Sequence, residues 1–144
     1  QKQIIKLDAK SINYSYRKST NLNNKVILSA ILKFERGNPN NISEKMAEFN
    51  KYRKKSQPPG IYNAGSVFKN TNDYFAGQLI EKAGLKGYSI DKVSVSNKHA
   101  NFFIAKRGAK ALSLYKLVQY VKEKVNDKFG VMLEEEIQFI GEFN

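Results

Sequence analysis

The sequence predicts an α+β domain in which helices pack on a mostly antiparallel sheet. Residues 111–129 keep the 3.6-residue period of an amphipathic helix, and short apolar segments typical of strands occur next to one another rather than in regular alternation with helices. The chain has 144 residues, of which 41% are hydrophobic, so it is long enough for one compact domain with its own core.

The first half of the chain predicts two strands and a helix. Residues 1–8 and 26–34 are apolar enough for strands, and a polar, aromatic stretch and an Asn-rich turn separate them. Asn41 with Glu44 three positions later forms a capping-box pattern, which predicts a helix that begins there and ends before Pro58. Its apolar residues share one face: Ile42, Met46 and Phe49.

The second half predicts an ordered loop, two helices and three strands. Residues 58–74 are rich in Gly and Asn and show no period, so we expect an ordered loop there. A short helix over residues 75–83 should end at Gly84, and the long helix over residues 111–129 should end at Gly130. Strands are expected at the remaining apolar segments: residues 92–96, 101–105 and 131–140.

The composition excludes several kinds of site. The chain has no Cys and a single His, which excludes disulfides, thiolate metal sites and imidazole metal clusters, so we predict no metal site. No apolar run is long enough for a transmembrane helix.

The formal charge of +12 first suggests a protein that binds nucleic acid. However, only four of the 25 basic residues are Arg, and the Lys residues are scattered along the chain. We therefore prefer a solvated, Lys-rich surface over nucleic-acid binding. An anionic small-molecule ligand is compatible with both interpretations.

Several polar residues could carry chemistry, although each also has a commoner structural role. Ser66 follows Gly65 in the irregular loop, where it could approach a ligand or cap a backbone amide. Glu136 lies in an acidic run that is typical of an edge strand, but a buried carboxyl there could donate a proton. Arg17, flanked by an aromatic residue, could clamp an anion or stack at the surface. Arg53 at a helix end suits either the helix dipole or a diphosphate.

The order of several short motifs is more specific than any one of them. They are YRKS at 16–19, QP at 57–58, AGSVFKN at 64–70, AGQLIEKAGLKG at 76–87, VSNKHANF at 95–102 and FGVMLEEEIQFIGE at 129–142. Together they resemble, in the same order and over nearly the whole chain, the C-terminal half of the UDP-N-acetylenolpyruvoylglucosamine reductases. These are flavoenzymes of peptidoglycan precursor synthesis, and the shorter spacing here resembles their shorter subgroup.

The resemblance implies catalytic roles for three residues. Ser66 matches the Ser that protonates the enolate carbon after hydride transfer. Arg17 and Glu136 match the Arg and Glu that bind the enolpyruvyl carboxylate, where Glu136 would act best when protonated. A fixed positive charge on Arg17 would favour the electron density that develops there.

The resemblance also implies substrate-binding residues. Asn70 and Arg53 match positions that hold the substrate, with Arg53 at the diphosphate, and His99 falls where some members contact the nucleotide. This chain departs from the family at Asp91, where a small pair, commonly Gly-Gly, usually begins, so the local backbone angles there could be lost.

The resemblance further implies the organisation of a longer protein. Residues 1–20 would be a remnant of the flavin-binding domain, and residues 21–144 the substrate-binding domain. The full enzyme would be a monomer in the bacterial cytoplasm that uses FAD, bound mainly by its N-terminal domain, and NADPH to reduce UDP-N-acetylglucosamine enolpyruvate, with no membrane or nucleic-acid partner. The isolated chain would lack FAD and activity. The alternative is a basic nucleic-acid-binding module on the same scaffold.

Overall fold

The computed structural model describes residues 3–60 and 62–143. The chain divides into two compact units, Gln1–Gly37 and Asn38–Asn144. The sequence predicted a flavin-domain remnant at residues 1–20 and a substrate-binding domain at residues 21–144. The two compact units do not test this division, so it stays a prediction. Within the described part of the chain, no helix is both long and apolar enough to cross a membrane.

The first unit contains one small hairpin. Strands β1 (Tyr14–Ser15) and β2 (Lys18–Ser19) pair antiparallel, and short 3-10 helices lie before and after them. The strand predicted over residues 26–34 is absent, and so is that over 1–8 in its described part, residues 3–8. A strand needs a hydrogen-bonded neighbour, and in this unit the only pairing among the described residues is that of β1 with β2.

Helix α1 (Pro39–Ser56) begins earlier than the sequence pattern predicts. The side chain of Asn38 caps it by accepting a 2.9 Å hydrogen bond from the backbone N–H of Asn40, and Pro39 occupies the first turn. The predicted cap at Asn41 is therefore wrong, because Pro39 has a backbone angle already suited to a helix. The predicted apolar face is exposed: Ile42, Met46 and Phe49.

The second unit holds the remaining helices and a three-stranded antiparallel sheet. The sheet has the order β3-β4-β5, and α3 packs on β3, β4 and α2. Gly130 ends α3 with a φ of 66°, a left-handed angle that other residues adopt only at a cost. The elements are α2 (Ala76–Lys82), β3 (Ser89–Ile90), β4 (Val93–Val95), β5 (Phe103–Ala105) and α3 (Ala111–Phe129).

The core lies between α3 and the sheet. Its largest fully buried side chains come from α2, β4, α3, the segment that contains residues 67–68 and the C-terminal segment: Val67, Phe68, Ile80, Val93, Val95, Leu117, Val118, Val121, Val125 and Leu133. The α+β class with antiparallel pairing is confirmed. The predicted helices over residues 75–83 and 111–129 and the strands over 92–96 and 101–105 all have counterparts, whereas β3 was not predicted.

The last predicted strand, residues 131–140, forms only an isolated bridge. Glu135 bridges Phe68, and Ser66 bridges Phe102, so residues 66–69 (the Ser66 segment) lie between the start of β5 and the C-terminal segment, residues 131–140. Single bridges do not amount to a strand, which is why that prediction is wrong. Part of the predicted ordered loop, residues 66–68, thus lies beside the sheet and forms single bridges without becoming a strand.

Asp91 stands where the family usually has a small residue, so the sequence left its backbone angle in doubt. The structure shows that Asp91 has a left-handed backbone angle. Its φ is 48°, and Asp tolerates this region better than most residues with a side chain. Its Oδ2 accepts a 2.7 Å hydrogen bond from the hydroxyl of Ser113, which is only 4% exposed. Ser113 lies in the first turn of α3, whose N-cap, Lys110, provides no side-chain hydrogen bond. The carboxylate of Asp91 therefore lies near the positive end of this helix.

We expect Asp91→Gly to lower the free energy of unfolding by about 1 kcal/mol. Glycine relieves the positive φ, but the loss of a charged hydrogen bond to a buried hydroxyl outweighs that gain. Asp91→Asn keeps the acceptor and the tolerance of this angle, so it should cost less. Urea unfolding of the three chains measures the order, and a more stable Asp91→Gly variant would show that strain dominates.

Candidate functional site

The Ser66 segment is held on both sides by main-chain hydrogen bonds. The N–H of Val67 donates to the carbonyl of Asn101 at 2.8 Å, and the N–H of Glu136 donates to the carbonyl of Val67 at 2.8 Å. Val67 and Phe68 are buried, whereas Ser66 is half-buried. The segment is therefore anchored in the core directly after Ser66.

A cavity of about 400 Å³ opens beside Ser66. Residues from the end of α1, the start of α2 and the turn between β4 and β5 line it together with the Ser66 segment. The lining includes Tyr52, Ser66, Asn70, Lys98, His99 and Asn101. The structure thus brings together three of the six residues that the sequence singles out, Ser66, Asn70 and His99.

Asn70 has a structural contact as well as a place in the cavity wall. Its Oδ1 accepts a 3.0 Å hydrogen bond from the backbone N–H of Ala76, the first residue of α2. This bond satisfies one of the amides that a helix leaves unpaired at its N-terminus. Asn70 therefore ties the cavity wall to α2.

His99 lies half-buried in the cavity wall, next to α2. Its Nδ1 accepts a 3.3 Å hydrogen bond from the N–H of Asn101, so the proton of the neutral ring lies on Nε2. A Cβ on Gly77 would lie 3.3 Å from Cε1 of His99, so glycine at this helical position lets the ring pack close. Burial lowers the pKa of His99, and the charge of Lys86 lowers it further.

We expect the imidazole of His99 to titrate below the usual value of about 6.5. The folded state binds the imidazole proton of His99 less well than the unfolded state does. The contribution of His99 to the free energy of unfolding is therefore fully present above pH 6.5. It is lost as the pH falls through the lower pKa of the folded chain. NMR titration of the single His measures the shift, and His99→Asn should flatten this part of the pH dependence of unfolding. A midpoint above the usual value would contradict the expectation.

Glu136 lies next to the Ser66 segment through its backbone, and its side chain is half-buried. Its neighbour Glu135 points to a different partner, since Glu135 Oε1 accepts a 2.8 Å bond from Nζ of Lys122. Burial opposes ionisation of Glu135, but hydrogen bonds, chiefly from Lys122, hold the pKa of Glu135 below its usual value.

Arg53 and Arg17 lie outside the cavity lining. Arg53 is exposed in the last turn of α1, where its Nε donates to Oε1 of Gln57 at 3.2 Å. Arg17 belongs to the first unit, in the turn between β1 and β2, with a φ of 56°. Its guanidinium lies 5.0 Å from the centre of the Tyr16 ring, the stacked arrangement that was one of its two sequence interpretations.

Sequence reasoning missed most of the other lining residues, among them Tyr52, Lys98 and Asn101. Nζ of Lys98 donates to the carbonyl of Lys54 at the end of α1, which places this cation between the helix end and the cavity. Asn101 is 2% exposed and hydrogen-bonds Phe68 with its side chain. Lys98 and Asn101 both lie in a motif that carried the resemblance, but residue type alone does not show which polar side chains line a cavity.

Comparison with known proteins shows the family of this chain. Residues 57–140 match the family model described as the C-terminal domain of UDP-N-acetylenolpyruvoylglucosamine reductase. The chain belongs to the UDP-N-acetylenolpyruvoylglucosamine reductase family. The matched region contains four of the six singled-out residues, Ser66, Asn70, His99 and Glu136.

Curated UDP-N-acetylenolpyruvoylglucosamine reductases are similar over almost the whole chain. That of Fervidobacterium nodosum is 46% identical over 140 residues, which are 95% of this chain and 45% of the relative. That of Caldanaerobacter subterraneus subsp. tengcongensis is 43% identical over 141 residues, 96% of this chain and 46% of the relative. The chain thus spans about half the length of these reductases.

A solved structure shows the same fold. The crystal structure of UDP-N-acetylenolpyruvylglucosamine reductase from Thermus caldophilus matches with a TM-score of 0.71 and 30% sequence identity. The match covers 90% of this chain and 46% of that chain.

Proposed function

We propose that this chain is the part of a bacterial, cytoplasmic reductase that binds UDP-N-acetylglucosamine enolpyruvate and supplies the proton for its reduction to UDP-N-acetylmuramate. The observation that carries the proposal is the cavity in which Ser66, Asn70 and His99 meet. Family membership supports it, because the relatives are named for this reduction.

The cavity lining suits the substrate better than it suits a flavin. The hydroxyl of Ser66, the amides of Asn70 and Gln78, an imidazole and an ammonium group can bind sugar hydroxyls and phosphate oxygens, whereas the flat ring of a flavin packs on apolar side chains, of which the lining holds fewer. We therefore propose that FAD and NADPH bind mainly to another part of the longer protein. The residues around this cavity are proposed to bind the substrate and to deliver a proton.

Ser66 is proposed to deliver the proton. Reduction of the enolpyruvyl double bond adds a hydride to one carbon and a proton to its neighbour. A Ser hydroxyl is a weak acid, so the site must stabilise the alkoxide or return its proton quickly. Ser66 meets the positional requirement, since it lines the cavity on a segment anchored in the core.

Arg17 and Glu136 are proposed to hold the enolpyruvyl carboxylate. The positive charge of Arg17 would stabilise electron density on that group, and a protonated Glu136 would donate a hydrogen bond to it. Support for Glu136 comes from its backbone bond to Val67, the residue after Ser66.

Asn70, His99 and Arg53 are proposed to bind the rest of the substrate. The pKa of His99 lies below the usual value because of burial, so its ring is neutral at pH 7 and offers an N–H to a nucleotide oxygen or nitrogen. Arg53 lies one residue after Tyr52, which lines the cavity, so a diphosphate at the rim would lie near a fixed positive charge.

Titration of the 144-residue chain with UDP-N-acetylglucosamine enolpyruvate tests the binding role. We expect weak binding, with NMR shifts concentrated at Ser66, Asn70 and His99, and with a weaker dependence on salt than DNA binding shows. The matched probe is a random DNA duplex of equal charge concentration.

Two results would overturn the proposal. Tight DNA binding that falls steeply with salt, without a response to the UDP-sugar, would favour the nucleic-acid-binding module. Stoichiometric FAD that co-purifies with this chain would contradict the proposal that FAD binds mainly to another part of the longer protein.

A further inference from the structure

The side chain of Asn101 bonds the main chain of Phe68 through both its oxygen and its nitrogen. Its Oδ1 accepts a 2.9 Å hydrogen bond from the N–H of Phe68, and its Nδ2 donates to the carbonyl of Phe68 at 2.8 Å. The residue is 2% exposed, so both bonds are shielded from water. An amide side chain therefore satisfies both main-chain polar groups of one residue.

This pair replaces a missing strand neighbour. On one side, the carbonyl of Val67 and the N–H of Lys69 bond the C-terminal segment at Glu136 and Glu134. The N–H and carbonyl of Phe68 face the opposite edge, as alternation along a strand requires. There the amide of Asn101 takes the place of the peptide group of a neighbouring strand.

The main chain of Asn101 adds two contacts that lead to the cavity. Its carbonyl accepts from the N–H of Val67 at 2.8 Å, and its N–H donates to Nδ1 of His99 at 3.3 Å. On the other side of Ser66, Gly65 has a φ of 81° and donates its N–H to the side chain of Asn63. Ser66 thus lies directly before the part of the segment that Asn101 anchors.

We propose that Asn101 is a positioning residue that holds the Ser66 hydroxyl at the place in the cavity where a proton is delivered. This inference rests on the proposed function. It assigns Asn101 no contact with the reacting atoms: its amide fixes Phe68, Phe68 fixes the segment, and the segment fixes Ser66. A displacement of 1 Å at a reacting group lowers a rate by about a hundredfold, so such an anchor matters for the chemical step.

Asn101→Asp is the sharpest test, because it changes no volume. At a pH that ionises the new carboxyl group, it still accepts from the N–H of Phe68 but repels its carbonyl. In the 144-residue chain, amide exchange at Val67 and Phe68 should accelerate by about tenfold to a hundredfold. Asn97→Asp is the matched control, since it introduces the same charge at an exposed position of the same turn. Its exchange at Phe68 should be unchanged.

The kinetic test uses the full-length reductase. Asn101→Asp should slow reoxidation of the flavin by the UDP-sugar by about ten- to a hundredfold, with the KM for that sugar altered by no more than about twofold. Reduction of the flavin by NADPH should be unchanged. A purely structural role would instead lower both half-reactions together, in proportion to the folded fraction, and would overturn the proposal.

Two further results separate this inference from the proposed function. If Asn101→Asp does not fold, Asn101→Ser supplies a hydroxyl that can reach Phe68 through a water, and the same split between half-reactions is expected. If Ser66→Ala slows reoxidation but neither Asn101 variant does, the positioning role is wrong while the proton donor stands. If Ser66→Ala itself leaves reoxidation unchanged, the proton-donor part of the proposed function fails.

Discussion

Ser66→Ala in the full-length reductase should slow reduction of the UDP-sugar by about a hundredfold to ten-thousandfold, the usual contribution of a positioned proton donor. The substitution removes one oxygen and leaves the main-chain bonds of Val67 that anchor the segment. Binding of the sugar and reduction of the flavin by NADPH should therefore persist. Stopped-flow absorbance of the flavin separates the two half-reactions.

Ser89→Ala is the matched control for this prediction. Ser89 is exposed in β3 and lies outside the cavity lining, so loss of its hydroxyl should change neither half-reaction. Equal loss of both half-reactions in Ser66→Ala would mean that the substitution disrupts the fold. Unchanged reoxidation would show that the proton comes from another group.

The second large effect concerns the residue that anchors the Ser66 segment in the core. Phe68 is 0% exposed, and its ring packs edge-on against Phe103 with 6.0 Å between the ring centres. Phe68→Ala should lower the free energy of unfolding by about 3–5 kcal/mol, because the surrounding core cannot fill the space. This is a large part of the stability of a small domain. Urea unfolding followed by far-UV circular dichroism measures the loss.

Two variants keep this prediction testable. Phe68→Leu preserves most of the volume and should cost less than about 1.5 kcal/mol, so it reports on packing even if Phe68→Ala does not fold. Phe49→Ala removes a ring that is 67% exposed on α1, and it should change stability by no more than about 0.5 kcal/mol. Similar losses for Phe68→Ala and Phe49→Ala would refute the anchoring role.

The elements that the sequence predicted well are those stabilised by local contacts. Helix α3 begins and ends where its apolar period and Gly130 place it, because helical hydrogen bonds join residues four positions apart. Its inward stripe coincides with four fully buried residues, Leu117, Val118, Val121 and Val125. Helix α2 and the strands β4 and β5 were also predicted, as short segments with clear local signals, whereas which strands pair was not.

The predictions that failed depend on partners that the local sequence does not contain. Residues 26–34 have a strand-like composition, yet Ile31 is 92% exposed and the segment pairs with no strand among the described residues. Residues 131–140 form one bridge because their neighbour, the Ser66 segment, is itself short. Apolar composition shows that a segment can pair, and the tertiary structure decides whether it does.

The candidate site divides in the same way. From sequence alone, the ordered motifs indicated the family and singled out Ser66, Asn70 and His99. Only the tertiary structure gathered these residues around one cavity with Lys98 and Asn101. It also revealed the bonds between Asn101 and Phe68, which are 33 positions apart. Local patterns determine helices, caps and motifs because their interactions span a few residues, whereas burial, cavities and long-range hydrogen bonds exist only after distant segments pack together.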